Sequence, residues 1–321
     1  MKYSRVCPKD AIRYCMGELG MKNKSPLVSI GMPVYNGEKY IRQALDSLLA
    51  QAFKDFELII SDNASTDNTA EICKQYLEKD NRIKYYRNEV NIGAVANFNN
   101  LIKYATATYF MWASYDDVWE PSYISELIKI MESDKSIILA FSDFDNIDEN
   151  GKQIRIYPKI LKLSSSEAIF KRLFQFIMFE ESNGKANLMY GIMRLNTLRE
   201  IGGFNKTLGE FAADDLFLFS MLFKGNFYII DELLFHKRMS LGWYEWRSPW
   251  ENISRWHTYF LRYHRIIAAS ELHSFQKIAL HLVTIFREVQ FQMRFIKPIF
   301  SGIISSVFRK IGKIFLWGQA L

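Results

Sequence analysis

From Val28 onward, apolar positions follow two rhythms that trade places along the chain. Val28 to Val34 is a short apolar run that stops at Tyr35-Asn36-Gly37, a turn signal, and it predicts a strand. Behind it, Ile41, Ala44, Leu45, Leu48 and Leu49 recur at helical spacing. Glu57 to Ser61 predicts a second strand, closed by the polar loop from Asp62 to Asn68. Ile72, Cys73, Tyr76 and Leu77 then mark a second helix. Arg82 to Tyr86 predicts a third strand, Val95 to Ala105 a third helix, and Tyr109 to Trp112 a fourth strand. Strands that alternate with helices of about 10–15 residues imply right-handed crossovers and a mostly parallel sheet, hence an α/β fold with helices flanking it. Ligands of such sheets bind beyond the carboxyl ends of the strands. The loops that begin at Tyr35, Asp62 and Ser114 therefore converge on one crevice.

Past the fourth strand, Pro121 reads as a first-turn helix proline, followed by Ile124, Leu127, Ile128 and Met131 on one helix face. Ser136 to Ser142 predicts a strand, and Glu149-Asn150-Gly151 a turn into an antiparallel partner. Residues 166–177 predict a helix, 187–194 a strand, and Asp214-Asp215 the start of a further helix. The regular pattern ends near Ser240. The expected organisation is an extension outside the fold over 1–25, a principal domain over 26–240, and a helical region over 241–321. That last region opens on Trp243, Tyr244, Trp246, Trp250 and Trp256. Near its end Ile303, Ile304, Val307, Phe308, Ile311, Ile314 and Phe315 recur at helical spacing, with Arg309, Lys310 and Lys313 on the other side. A basic amphipathic helix over 303–317 suits an anionic membrane surface, or else packing on the protein or on a second copy.

Composition narrows the class. With 321 residues, 49% hydrophobic and 24% charged, the chain can build a full core and is not disordered. The net charge of +6 is modest, and no acidic residue follows Glu288. No nucleic-acid partner is expected. Cys7, Cys15 and Cys73 show neither metal spacing nor a paired framework, and the five histidines form no zinc cluster. Met1 to Lys24 lacks a secretory pattern, and no apolar stretch reaches the roughly 20 residues that span a bilayer. A cytoplasmic protein, peripheral at most on the inner face of the cell membrane, is the expectation.

Carboxylates carry the candidate chemistry. Asp116 and Asp117 follow the fourth strand directly. There they suit either a divalent cation holding nucleotide phosphates, Mn²⁺ or Mg²⁺, or a plain turn before the next helix. Asp62 opens a loop of small residues in which a carboxylate can accept from a base N–H, while Asp67 suits a helix cap. Asp214 and Asp215 are either favourable charges on a helix N-terminus or a base for an attacking hydroxyl. His236, Lys237 and Arg238 end an apolar run, where cations can stabilise a leaving diphosphate. No phosphate-binding P-loop, G-x-G-x-x-G after a strand or G-x-S-x-G elbow is present.

The order of these pieces resembles a family-2 glycosyltransferase of the GT-A fold over roughly residues 26–240. The matching text is Val28-Ser-Ile-Gly-Met-Pro-Val-Tyr-Asn36, then Glu57 to Thr69, Asn91-Ile-Gly93 with Asn97, Trp112 to Trp119, and Tyr190-Gly-Ile-Met-Arg194 ahead of Asp214-Asp215. The resemblance implies a nucleotide-sugar donor, a divalent cation and inversion at the anomeric carbon. By it, Pro33, Tyr35 and Asn36 would line the nucleotide pocket and Asp62 would bind the base. Asn91, Gly93 and Asn97 would shape the donor site, Asp116 would meet the diphosphate, and Asp116 with Asp117 would bind the metal. Arg238 would face the diphosphate, and Asp214, backed by Asp215, would be the acceptor base. The acceptor would be a glycan or lipid-linked hydroxyl in bacterial surface-polysaccharide synthesis. Ser114 stands where the common D-x-D pattern has its first carboxylate, and Arg238 lacks the histidine that often follows it. A nucleotidyltransferase and a catalytically inactive nucleotide-sugar-binding or scaffold protein are the competing readings.

Overall fold

The computed structural model describes residues 11–13, 25–157, 160–163, 168–239 and 248–317. The side chains of 11–13, 161–162, 249 and 297–317 fall outside that description. The chain divides into two compact units, Met1–Leu241 and Gly242–Leu321.

Among the described residues, the first unit holds one ten-stranded sheet. Its strands are β1 (Ala11–Arg13), β2 (Val28–Val34), β3 (Phe56–Asp62), β4 (Ile83–Asn88) and β5 (Tyr109–Trp112), followed by β6 (Val118–Trp119), β7 (Ile137–Ile147), β8 (Gln153–Ile156), β9 (Ile192–Arg194) and β10 (Asn226–Arg238). The order is β1-β4-β3-β2-β5-β9-β7-β10-β6, with β8 paired to β7. Strands β4, β3, β2 and β5 run parallel, and so do β7 and β10. β9 lies antiparallel between β5 and β7. All six of those principal strands therefore end at the same edge.

Burial on both faces explains why β2 and β3 show no polar–apolar alternation, and even their polar residues Ser29, Glu57 and Asp62 are buried. Helices cover the sheet: α1 (Ile41–Leu49), α2 (Thr69–Lys79), α3 (Ala94–Tyr104), α4 (Tyr123–Ser133), α5 (Ile169–Met178), α6 (Leu195–Ile201) and α7 (Ala213–Met221). α1 buries Ile41, Ala44, Leu45 and Leu48, the stripe its spacing predicts. Cys73 is buried on α2, as its place on the apolar face requires.

Three expectations change. Pro121 precedes the N-cap Ser122 of α4 instead of sitting in its first turn. Only Ile192–Arg194 of the 187–194 segment is strand, because Lys185–Tyr190 winds into a 3-10 helix. Ala11–Arg13, in the segment expected outside the fold, pairs antiparallel with β4.

The second unit contains α8 (Pro249–Ala269) and α9 (Ser274–Trp317). α8 starts with a capping box, Ser248 with Glu251, and a proline at its head. Trp243, Tyr244 and Trp246 lie outside the described residues. So do the side chains of 303–317, although the backbone there is helical.

Candidate active site

Loops at the common strand edge interlock before any ligand is considered. Past β2, Asn36 adopts a left-handed φ of 51° and its Oδ1 accepts from the Thr66 backbone N–H at 2.8 Å. Gly37 N–H donates to Thr69 Oγ1 at 2.8 Å, and Glu38 N–H donates to Asp67 at 3.0 Å. Asp67 thus holds the preceding loop, and it also accepts from Thr69 N–H at 3.0 Å, close to the capping task expected of it. Ala64 and Ala212 are the other non-glycine residues with positive φ among those described, at 61° and 53°. One strained residue therefore sits in each of three loops, after β2, after β3 and before α7, a distribution that marks functional sites.

Asp62 is fully buried. Its Oδ1 accepts from Ser65 N–H at 2.8 Å, and its Oδ2 accepts from Tyr85 Oη and Arg87 Nη1, both at 2.6 Å. A carboxylate so occupied shapes the loop after β3 and has little left for a base. Its neighbour Asn63, which sequence reasoning passed over, donates to Asn91 Oδ1 at 2.7 Å and accepts from Ile92 N–H at 2.9 Å. Asn97 is buried and is bound to both the hydroxyl and the carbonyl of Ser61. Asn91 also accepts from Gly93 N–H at 2.9 Å. Gly93 has a φ of 84°, and a Cβ there would lie 3.5 Å from Glu210 Oε1, which brings the loop before α7 to the head of α3. Pro33 is buried in β2, whereas Tyr35 and Asn36 are exposed at its end.

The two aspartates after β5 have different surroundings. Asp116 is half-buried, and one of its oxygens accepts a short hydrogen bond from Ser114 Oγ. Asp117 is fully buried, paired with Lys237 Nζ at 3.0 Å, and accepts from Arg238 N–H at 2.9 Å. Burial pushes the Asp117 carboxyl up to about 6 against the pull of Lys237, so both partners are charged at neutral pH. Burial acts against the Lys237 ammonium, but Asp117, Tyr190 and Asp116 outweigh it and hold its pKa above the ordinary value. With Lys237 across it, Asp117 anchors β10. Among the described residues no cluster of three His, Cys, Asp or Glu could hold an ion.

Arg238 also differs from expectation. Only 3% exposed, its guanidinium donates to the carbonyls of Asp116, Asp148 and Glu149 and to Gln43 Oε1, and it stacks on Tyr40 at 4.6 Å. It clamps the loop after β5 to the β7–β8 turn and α1 through four N–H···O bonds. The ring nitrogens of His236 meet Asp145 at 2.7 Å and Glu120 at 3.0 Å.

Asp214 enters from the other side. Trp112, the last residue of β5, packs edge-on against Phe217 of α7 at 5.3 Å, fixing that helix against the sheet. Asp214 is half-buried in its first turn and accepts from Asp215 N–H at 2.8 Å. Burial, reinforced by the Asp215 charge, pushes its carboxyl up to about 6. Asp215 itself is tied to Lys185, a lysine only 1% exposed, at 3.3 Å. No sequence signal singled Lys185 out, since a lysine in a short polar stretch normally faces water.

Tyr190 joins the two sides. Its ring lies under Lys237 at 4.9 Å, and burial, helped by the charges of Asp117, Asp116 and Asp214 against that of Lys237, pushes its hydroxyl up to about 12. Asp116 and Asp214 are both among the charges that raise the Tyr190 hydroxyl.

The family model described as glycosyl transferase family 2 matches residues 29–195 of the 321. An uncharacterized glycosyltransferase of Methanocaldococcus jannaschii is 37% identical over 148 residues, 45% of this chain and 51% of its own length. One of Rickettsia typhi is 32% identical over 216 residues, 67% of this chain and 64% of its own. The chain thus spans less than two thirds of the length of either relative. Residues 1–349 of S. aureus TarS, in complex with UDP-GlcNAc, superpose with a TM-score of 0.63 at 20% identity, covering 83% of this chain and 73% of that one. The mannosyltransferase PcManGT from Pyrobaculum calidifontis, in complex with GDP-Man and Mn²⁺, gives 0.58 at 13% identity over 88% and 81%. Those two likenesses concern the fold, and they agree with the GT-A arrangement of sheet and helices described above. With a family match that covers more than half its residues, the chain belongs to glycosyl transferase family 2.

Proposed function

We propose that this chain moves a sugar from a nucleotide-sugar donor to a hydroxyl of a glycan or lipid-linked acceptor, with inversion, in the assembly of a bacterial surface polysaccharide. One observation carries the reading. A carboxylate raised to about 6, Asp214, stands in the first turn of α7, the helix that Trp112 at the end of β5 packs against, and Asp116 follows that same strand end. Asp214 takes the proton from the acceptor hydroxyl as its oxygen attacks the anomeric carbon. The bond from that carbon to the diphosphate oxygen breaks, and its electron pair leaves on the nucleoside diphosphate. The half-buried Lys237 keeps its positive charge beside this leaving group.

The fold family implies a divalent cation, and the donor set fits one that takes a single protein carboxylate. Asp116 would hold Mn²⁺ or Mg²⁺, with diphosphate and water completing the shell. Bound there, the ion would offset the charge on the departing diphosphate. A lipid-linked acceptor would bring the enzyme to the inner face of the membrane, the setting expected for 303–317.

The test is turnover of UDP-, GDP-, TDP- and CMP-sugars by the wild type and by Asp214→Asn, alongside donor-induced thermal stabilisation. The variant should lose at least about 100-fold in rate while keeping the stabilisation. A wild type that no donor stabilises, with Mn²⁺ present, sinks the proposal in favour of an inactive scaffold.

A further inference from the structure

Helix α9 carries two apolar faces, and among the described residues only one of them is covered. Leu280, Thr284, Arg287 and Phe291 are buried and share the side that packs in the α8–α9 pair. At about 100° per residue, Phe275, Ile278, Leu282, Ile285, Phe286 and Val289 lie on the opposite side. Phe275 is 81% exposed, Ile278 58% and Leu282 62%. The stripe covers roughly a 100° arc, the width of a core-facing helix surface. From Phe275 to Val289 it runs about 21 Å at 1.5 Å per residue. Contiguous exposed apolar surface on this scale marks an interaction site.

Charge says what covers it. Residues 242–321 hold eleven Lys and Arg against four Asp and Glu, a net of +7. Residues 1–241 hold thirty against thirty-one, a net of −1. All of the chain's positive excess therefore belongs to the unit that bears the stripe. Of its four acids, Glu288 is already taken by His257 at 2.6 Å, and Glu251 closes the α8 capping box. A second copy of this unit would bring another +7 to the contact with few acids to answer it. An anionic lipid surface supplies both the negative charge and an apolar layer for the stripe.

We infer that the exposed face of α9 between Phe275 and Val289 is a docking surface for an anionic membrane. It is separate from 303–317 and independent of sugar transfer. The helix lies on the surface and does not cross it: among the described residues no helix is long and apolar enough to span a bilayer. Apolar side chains enter the headgroup boundary, and the unit's basic residues other than the buried Arg287 meet the lipid charge.

Flotation of the full chain with phosphatidylcholine vesicles, with and without on the order of 30% phosphatidylglycerol, tests this. The wild type should float with the anionic vesicles, less so at high salt, and poorly with the neutral ones. Ile278→Glu/Leu282→Glu should cut the bound fraction more than about tenfold with circular dichroism and melting temperature unchanged. If glutamate disturbs the helix, Ile278→Gln/Leu282→Gln reads the same loss. Asp214→Asn should float like the wild type, so a failed transfer reaction leaves this result untouched. Flotation that survives both double substitutions overturns the inference and moves the contact elsewhere, 303–317 included. So does a wild type that never floats, or one that sediments as a dimer which the substitutions convert to monomer.

Discussion

A carboxyl group that titrates near 6 is a better proton acceptor at neutral pH than one that titrates near 4, and it is still ionised there. Asp214 reaches that value because burial and the Asp215 charge both oppose its ionisation. As the base it must be deprotonated, so kcat/KM should be level above about pH 6.5 and fall about tenfold per unit below 6. A pH–rate profile that shows no acid limb between 5 and 7 (on the order of the shifted value) would remove Asp214 from the role. Stability runs the other way. The folded pKa lies above the unfolded one, so the folded state binds more protons between about 4 and 6 and loses stability as pH rises through that window. Asp214→Asn should therefore melt at or above the wild-type temperature at pH 7.5, with the gap closing below pH 4 (about the unfolded value). A catalytic loss accompanied by a lower melting temperature would point to misfolding instead.

At the scale of elements, Arg238 turns a strand end into a fastening. It holds three loop carbonyls and Gln43 from the last residue of β10. Arg238→Ala should cost about 3 kcal/mol or more in urea denaturation, because several part-buried acceptors lose their donor together. Arg238→Lys should recover little, since an ammonium cannot reproduce the fork. A variant that weakens only donor binding would restore Arg238 to the diphosphate. That these contacts are not legible in the sequence has a physical origin. Strands and helices repeat with fixed periods, so β2, α1, β3, α2 and β5 emerge from local pattern, and the edge where Asp62, Asp116 and Asp214 gather follows from a parallel sheet. Which oxygen faces the crevice depends on partners far away in the chain. Asp117 meets a lysine 120 positions on, and Asp62 meets Tyr85 and Arg87 of the neighbouring strand β4, more than twenty positions on. No local rule carries that information. The same holds for Lys185–Tyr190, whose apolar residues suit a strand and which tertiary packing winds into a 3-10 helix.

For the whole molecule, the split at 241/242 separates more than contacts. The nearly neutral first unit carries every carboxylate assigned to chemistry, and the second carries the net positive charge. Ligands of the two should therefore act on different parts of a melting curve. A nucleotide sugar that binds only the folded first unit stabilises it by about 2.7 kcal/mol when present at 100 times its dissociation constant. For a unit of this size that is a rise of about 5–10 °C in the donor-sensitive transition. Calorimetry with Mn²⁺ and the matching donor should show this shift, and EDTA or Asp116→Asn should cancel it, because Asp116 is the carboxylate assigned to the ion. Ile278→Glu/Leu282→Glu should leave it intact. If EDTA has no effect while Asp116→Asn still abolishes the shift, Asp116 binds the donor without a metal. If the α9 substitutions abolish it, the two units are coupled and the division of labour drawn from charge is wrong.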